Sequence, residues 1–212
     1  MISRGRVLCF MFALIVCAFG VTQPALGQDS PSKPVVKIDE TNLDTELYLI
    51  VGSNERGGDN PLPTSLDKVS KQLHAILPFK NYNLVATLLN RVKNDGRLEL
   101  TWIGGSLLAP NAALAYRPTF SQFSIGHVRL VDSDTGPVVQ MLRFSYGARF
   151  PIQTATTMAA SGNSVPQFEY QNTGLTTDIS IKPDEPGIVG TLNVGPSGDA
   201  LIIVVSARRA PK

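Results

Sequence analysis

The sequence predicts a mainly β protein of the α+β kind, an antiparallel sheet or sandwich with one amphipathic helix near the front. Three observations carry that expectation. Apolar residues recur at every second position through most of residues 82–205, the period at which side chains return to one face of a strand. Clusters of Asp, Asn, Ser and Gly interrupt that pattern at residues 94–96, 132–136 and 195–199, where turn residues that tolerate positive φ belong. One stretch alone, Leu66, Val69, Leu73, Ile76 and Leu77, keeps the helical period.

The front of the chain reads as an export leader, residues 1–27. Arg4 and Arg6 form its positive end, Val7 to Val21 is an uncharged apolar run, and Ala25-Leu26-Gly27 offers the small residues a signal peptidase reads. The run is shorter than the roughly eighteen residues that mark a spanning helix, and Gly20, Pro24 and Gly27 break the segment at its end. Leu8 and Val16 precede the two cysteines, Cys9 and Cys17, so neither has the small neighbour of a lipid-modified cysteine. Both cysteines leave with the leader, and the exported chain then has no disulfide and no thiol nucleophile. Arg4 and Arg6 leave as well, and the 19 basic residues of the full chain fall to equal its 17 acidic ones. A neutral exported chain gives no electrostatic reason to expect nucleic acid as a partner, and membrane contact is expected to be peripheral.

Residues 28–44, with Pro31, Pro34 and alternating charge, read as a flexible tether. Residues 45–106 form a small helix-plus-hairpin unit, and 107–212 a β-rich module that is either separate or one domain with it. Glu46 to Val51 is a short apolar strand, and Gly52 to Pro63 is a loop by composition. Thr64 and Asp67 fit a capping box ahead of the helix, which Pro78 stops. Tyr82 to Val92 and Leu98 to Trp102 alternate on either side of Asn94-Asp95-Gly96, the pattern of a β-hairpin. Gly104-Gly105 ends the second strand, and Leu107 to Pro118 keeps neither period. A second hairpin joins Phe123–Val131 to Val138–Tyr146 through residues 132–136. The last two strands are Ile188–Val194 and Leu201–Val205. Ala200 to Val205 is apolar on both faces and belongs in the middle of a sheet. Thr154 to Gln167, rich in Ala, Thr, Ser and Gly, has little to bury and reads as a long mobile loop.

Gly147-Ala-Arg-Phe150-Pro151-Ile152-Gln-Thr154, then a small polar stretch, then Phe168-Glu-Tyr170-Gln-Asn-Thr-Gly174-Leu running to Pro183, resembles part of the bacterial secretins. In those ring-forming pores of type II secretion and type IV pili, a strand ending in an apolar-Pro-apolar step enters a Ser/Gly/Thr-rich loop. The chain returns through an aromatic-x-Tyr-x-x-x-Gly strand that ends at a proline turn. The resemblance spans residues 147–183 and implies a short secretin-related module, not a full-length secretin. Its candidate structural or interaction residues are Phe150, Pro151, Phe168, Tyr170, Gly174 and Pro183. Gly174 is expected at a bulge or turn. Phe168, Tyr170, Phe144 and Tyr146 fall at period 2 on adjacent strands and could pair across them; core packing is the simpler reading, and an exposed membrane-facing girdle or docking patch is the functional one.

Chemistry-bearing motifs are scarce. His74 and His127 lack the spacing of a metal pair, and there is no Gly-x-Ser-x-Gly elbow, phosphate loop or dinucleotide fingerprint. Asp132-Ser-Asp134-Thr-Gly136 begins like a calcium loop, but its Gly is fifth and no acidic residue comes after it until Glu169. The turn reading is the simpler one. No catalytic, cofactor or metal residue is assigned. The chain reads as an exported periplasmic or outer-membrane-associated protein that binds other envelope proteins or itself in a secretion or pilus assembly. The competing reading is an exported enzyme or ligand-binding domain built around His74 and His127.

Overall fold

A computed structural model describes residues 41–54, 60–105, 117–158, 164–194 and 198–211. The leader, the first part of the tether, the centre of the 52–63 loop and most of 107–118 lie outside the described residues. Residues 39–212 form one compact unit. Its elements are β1 (Asn42–Ser53), a 3-10 turn (Thr64–Leu66), α1 (Asp67–Ile76), β2 (Asn81–Lys93), β3 (Gly96–Gly104), β4 (Thr119–Ser133), β5 (Gly136–Met158), β6 (Ser164–Ile181), β7 (Gly187–Val194) and β8 (Asp199–Arg209).

The strands form two antiparallel four-stranded sheets, β2-β1-β8-β7 (sheet A) and β3-β4-β5-β6 (sheet B). A continuous apolar core lies between them. Leu47, Leu49, Leu201, Ile203 and Val205 of sheet A meet Phe123, Ile125, Met141, Phe144 and Tyr146 of sheet B there. The opposite face of sheet A, with Tyr48, Ile50, Ile202 and Val204, is covered by Leu66, Val69 and Leu73 of the helical segment. The layers therefore run helix, sheet A, sheet B, and β1 and β8 are buried on both faces. That is why Ala200 to Val205 carries no polar face, and β8 lies centrally as its composition predicts.

Several boundaries differ from the sequence reading. β1 starts at Asn42, inside the expected tether, with Leu43 and Asp44 buried. Thr64 opens a 3-10 turn, and no side chain caps the helix, so the Thr64–Asp67 capping box does not form. The expected hairpin of residues 82–102 is also absent. Asp95 sits at φ 62° in the predicted turn, but β2 pairs with β1 and β3 pairs with β4. The turn carries the chain from one sheet to the other, and its chemistry does not distinguish that crossing from a hairpin. Within β2 the register slips at Val85, where Leu49 faces Ala86 and Ile50 faces Leu84. One extra residue reverses the faces. Tyr82 and Leu84 therefore point to the helix, while Ala86, Leu88 and Val92 point to the inter-sheet core.

The β4–β5 hairpin forms as expected, closing at Ser133 and Gly136. The Ser133 hydroxyl donates to the Gly136 carbonyl at 2.6 Å, and Gly136 takes φ 108°. Residues 154–167 depart most from expectation. Thr154–Met158 and Ser164–Gln167 continue β5 and β6 as paired strands, so ladder hydrogen bonds, not apolar burial, order this arm. Its connecting residues 159–163 lie outside the described ones.

Candidate functional site

The face of sheet B turned away from sheet A carries no covering element among the described residues, and it is built by strict alternation. Leu98, Leu100, Phe123, Tyr146 and Ala148 point inward, so their neighbours point out. Register then sets Thr101, Gln122, Gly147 and Gly174 in one row across the four strands. Ile103, Phe120, Arg149 and Asn172 form another. Between these rows is a groove of about 900 Å³ lined by Thr101, Ile103, Phe120, Gln122, Gly147, Arg149 and Asn172, together with the strand residues between them. Small residues keep its floor low. A Cβ on Gly147 would meet nothing nearer than the Thr173 carbonyl at 3.9 Å.

At the arm end, aromatic rings and guanidinium groups stack. The Arg117 guanidinium lies 4.4 Å from the Phe168 ring centroid, and that of Arg149 lies 5.3 Å from Tyr170. Phe120 packs against Tyr170 with centroids 5.9 Å apart. The Tyr170 hydroxyl donates to the Pro118 carbonyl at 3.2 Å, fixing the ring. A guanidinium over a ring keeps its edge N–H groups available to a ligand.

The six candidate residues fall into three settings. Phe168 and Tyr170 belong to this stacked cluster, and Pro151 faces Tyr170 in the ladder. Pro151 lies beyond the last rung between β4 and β5, which is Phe120–Arg149, so its missing N–H breaks no bond on that side. Phe150 is 2% exposed and belongs to the core. Gly174 faces Gly147 in regular register, without positive φ, so the expected bulge or turn is absent. Its crowding has another origin, because a Cβ there would lie 2.6 Å from the Tyr146 carbonyl oxygen. Pro183 stands at the far end of β6. It opens a turn in which Asp184 takes φ 65° and Glu185 N–H bonds to the Lys182 carbonyl, passing the chain to sheet A.

Phe144 and Tyr146 take the simpler reading, core packing, and do not pair with Phe168 and Tyr170 across strands. Phe144 faces Thr177, Tyr146 faces Leu175, and Phe168 faces Gln153. Phe144 instead packs on Phe123 at 5.2 Å and Tyr146 on Trp102 at 6.4 Å, both in the core. Burial pushes the Tyr146 phenol up to about 12, an effect partly offset by the Ser121 hydroxyl beside it. The phenol oxygen itself has no hydrogen-bond partner within normal geometry.

The two histidines lie in different layers. His74 is on α1, its Nδ1 2.8 Å from the Ser70 carbonyl and its ring against Tyr82. His127 is on β4, its Nε2 3.1 Å from Asp95. Among the described residues no group of three metal-ligating side chains comes together. The residues missed by sequence reading are Arg117, Arg149, Phe120 and Ile103. No local signal marks them: apart from His127, every basic residue in the four strands of sheet B is an arginine, but only strand register brings these side chains to one face.

No protein-family model and no curated protein matches the chain. Solved secretin structures do. The secretin-domain β-barrel of InvG from the Salmonella SPI-1 injectisome matches with TM-score 0.37 and 11% identity over 81% of this chain and 64% of that one. A near-atomic structure of the same secretin gives 0.34 and 12% over 81% and 65%. PulD of the Klebsiella pneumoniae type II secretion outer membrane complex, solved with PulS and the PulC HR domain, gives 0.34 and 11% over 81% and 39%. The chain spans less than two thirds of each of those chains. It is similar to those secretin domains over that part.

Proposed function

We propose that this protein is an exported, non-enzymatic envelope module that binds other envelope proteins, or a second copy of itself, by strand addition at β6. The observation that carries the reading is the outer edge of that strand. Among the described residues β6 pairs only with β5, and it runs for 18 residues with no Lys and with Pro166, near its start, as its one proline. Folded proteins usually blunt such an edge with a bulge, a proline, a lysine or shortness. The other edges here are blunted: β2 bulges at Val85, β3 has 9 residues, and β7 has 8 and a register shift. An unblunted edge offers a row of backbone donors and acceptors to an incoming strand. The resemblance of residues 147–183 to secretins supplies the class of partner.

Photo-crosslinkers placed singly at Gln171 and Thr176 of β6, with Lys71 on α1 as control, test the reading in intact cells. Protein adducts at the β6 positions and recovery in the envelope fraction are expected. Recovery in the cytoplasm, or adducts no more frequent at β6 than at Lys71, overturns it.

A further inference from the structure

We propose that the outer face of sheet B binds a linear acidic glycan, a polysaccharide chain that carries carboxylates. This activity is separate from strand addition at the β6 edge. Although acidic and basic residues balance over most of the chain, the fold segregates them. Arg97 alternates with inward Leu98, Arg129 with Val128 and Arg149 with Ala148, so all three point out. Arg143 takes φ 52° at an irregularity between β5 and β6. Its guanidinium lies over the outward side of Gly126, occupying the space a Cβ would need. Arg117 joins them at the arm. All five are exposed, and none makes an ion pair among the described residues.

Sheet A shows the contrast. Its Arg91 and Arg208 both engage Asp44, and Arg208 also reaches Glu46. On sheet B the outward carboxylates are Glu99, at the β3 end of the Ser124–Ser145 row, and Asp178, which accepts from the backbone N–H of Arg143, while Asp95 of the adjoining turn is held by His127. Guanidinium groups on one face without carboxylate partners, Arg129 donating to the Gln140 side chain at 3.2 Å, attract an anionic chain and offer forked donors to carboxylates.

The floor between the arginines decides the class of ligand. Arg143 and Arg149 share one strand and stand about 20 Å apart at the usual rise per residue. Between them lie Gly147 and Gly174 beside the hydroxyl and amide side chains of Thr101, Gln122, Ser124 and Ser145. Such a lane suits a ligand that is rich in hydroxyls and sparse in charge. A protein strand adds at a sheet edge through free backbone groups, whereas the backbone groups of these strands are already paired in the ladders beneath this face. Phe120, 41% exposed, and Tyr170 stand at one end, where a flat ring can take the apolar face of a pyranose.

Isothermal titration of the purified protein with three polymers tests the proposal: polygalacturonate, its methyl ester, and polyglutamate. Polygalacturonate is expected to bind, with an affinity that falls steeply with added salt, and the other two are expected not to bind. Arg149→Ala and Arg129→Ala should each weaken binding by about tenfold, Arg149→Lys by less, and Arg208→Ala not at all. Melting curves verify that each variant is folded. Absence of polygalacturonate binding, equal binding of polyglutamate, or an unchanged affinity in Arg149→Ala overturns the proposal.

Discussion

Sheet A and sheet B contain the same number of strands, yet they present opposite surfaces. Sheet A is covered on both sides, by the helix and by sheet B, and its charged residues pair across strands at the uncovered end, as Arg91, Asp44 and Arg208 do. Among the described residues sheet B is covered on one side only, and its arginines stand on the other without carboxylate partners. One sheet acts as the stabilising centre, and the other leaves a face and a long edge uncovered among the described residues. In the proposed reading, stability and recognition are thereby assigned to different layers of a single unit.

The largest expected effect contrasts two isoleucines. Ile203 on β8 is fully buried between the sheets, while Ile103 on β3 is 69% exposed on the outer face. Ile203→Ala should cost about 3 kcal/mol, from lost transfer energy and the cavity left behind. Ile103→Ala should stay within about 0.5 kcal/mol. Urea unfolding of both variants checks this. A comparable loss at Ile103 would mean that the outer face is covered in the native protein.

The second contrast concerns the two glycines that face each other across β5 and β6. Gly174→Val places a branched side chain where even a Cβ lies 2.6 Å from the Tyr146 carbonyl. The strands must separate, at a cost of about 2 kcal/mol. Gly147→Ala meets only a carbonyl at 3.9 Å and should change stability by less than about 0.5 kcal/mol. Thermal melts of the pair would show a large shift for the first and almost none for the second. Equal shifts would mean that the two glycines are packed alike.

Sheet A was the more legible of the two, because its central strand β8 has an apolar run with no polar face. The β4–β5 hairpin was equally plain, since Asp134 and Gly136 sit between two alternating runs. The passage from β2 to β3 was not legible. Asn94-Asp95-Gly96 has hairpin chemistry, and only long-range pairing sends its flanking strands to different sheets. Val85 was hidden for a similar reason: a bulge leaves the alternation of the sequence intact while reversing the faces it fills. The arm at residues 154–167 has few large apolar residues, and Met158 and Val165 are exposed, so burial could not reveal strands held by backbone bonds. The stacked arginines were invisible because an isolated Arg reads as ordinary solvated charge. Only the register places Arg149 beside Phe120 and Asn172.

The buried phenol of Tyr146 offers a smaller test within sheet B. Its pKa is pushed up to about 12, so above the ordinary tyrosine pKa, near 10, the unfolded chain loses this proton while the native state keeps it. Stability from this group is complete below about pH 10 and falls as the pH rises towards 12. Tyr146→Phe should remove that alkaline loss. At neutral pH the change should be neutral or slightly stabilising, since the hydroxyl has no partner to lose. Chemical denaturation at pH 8 and pH 11 decides it. A large loss at pH 8 would show that the hydroxyl has a bonding role.

The smallest expected effect belongs to the paired charges of sheet A. Asp44 accepts hydrogen bonds from Arg91 at 2.7 and 3.2 Å. The Arg91 hydrogen bond, opposed by burial and aided by the charges of Arg91 and Arg208, holds the Asp44 carboxyl below the usual carboxylate range. A depressed native pKa stabilises the fold fully above the unfolded value. That contribution disappears as the pH falls through the native one. Its window is therefore acidic, opposite to that of Tyr146. Asp44→Asn should flatten the acid limb of the stability curve and leave the alkaline limb unchanged, whereas Tyr146→Phe should do the reverse. Melting temperatures measured from pH 3 to pH 7 would show the shallower slope. If the acid limb of Asp44→Asn matched that of the unmodified protein, the Arg91–Asp44–Arg208 row would be a surface contact without energetic weight, and the contrast in charge pairing between the sheets would rest on geometry alone.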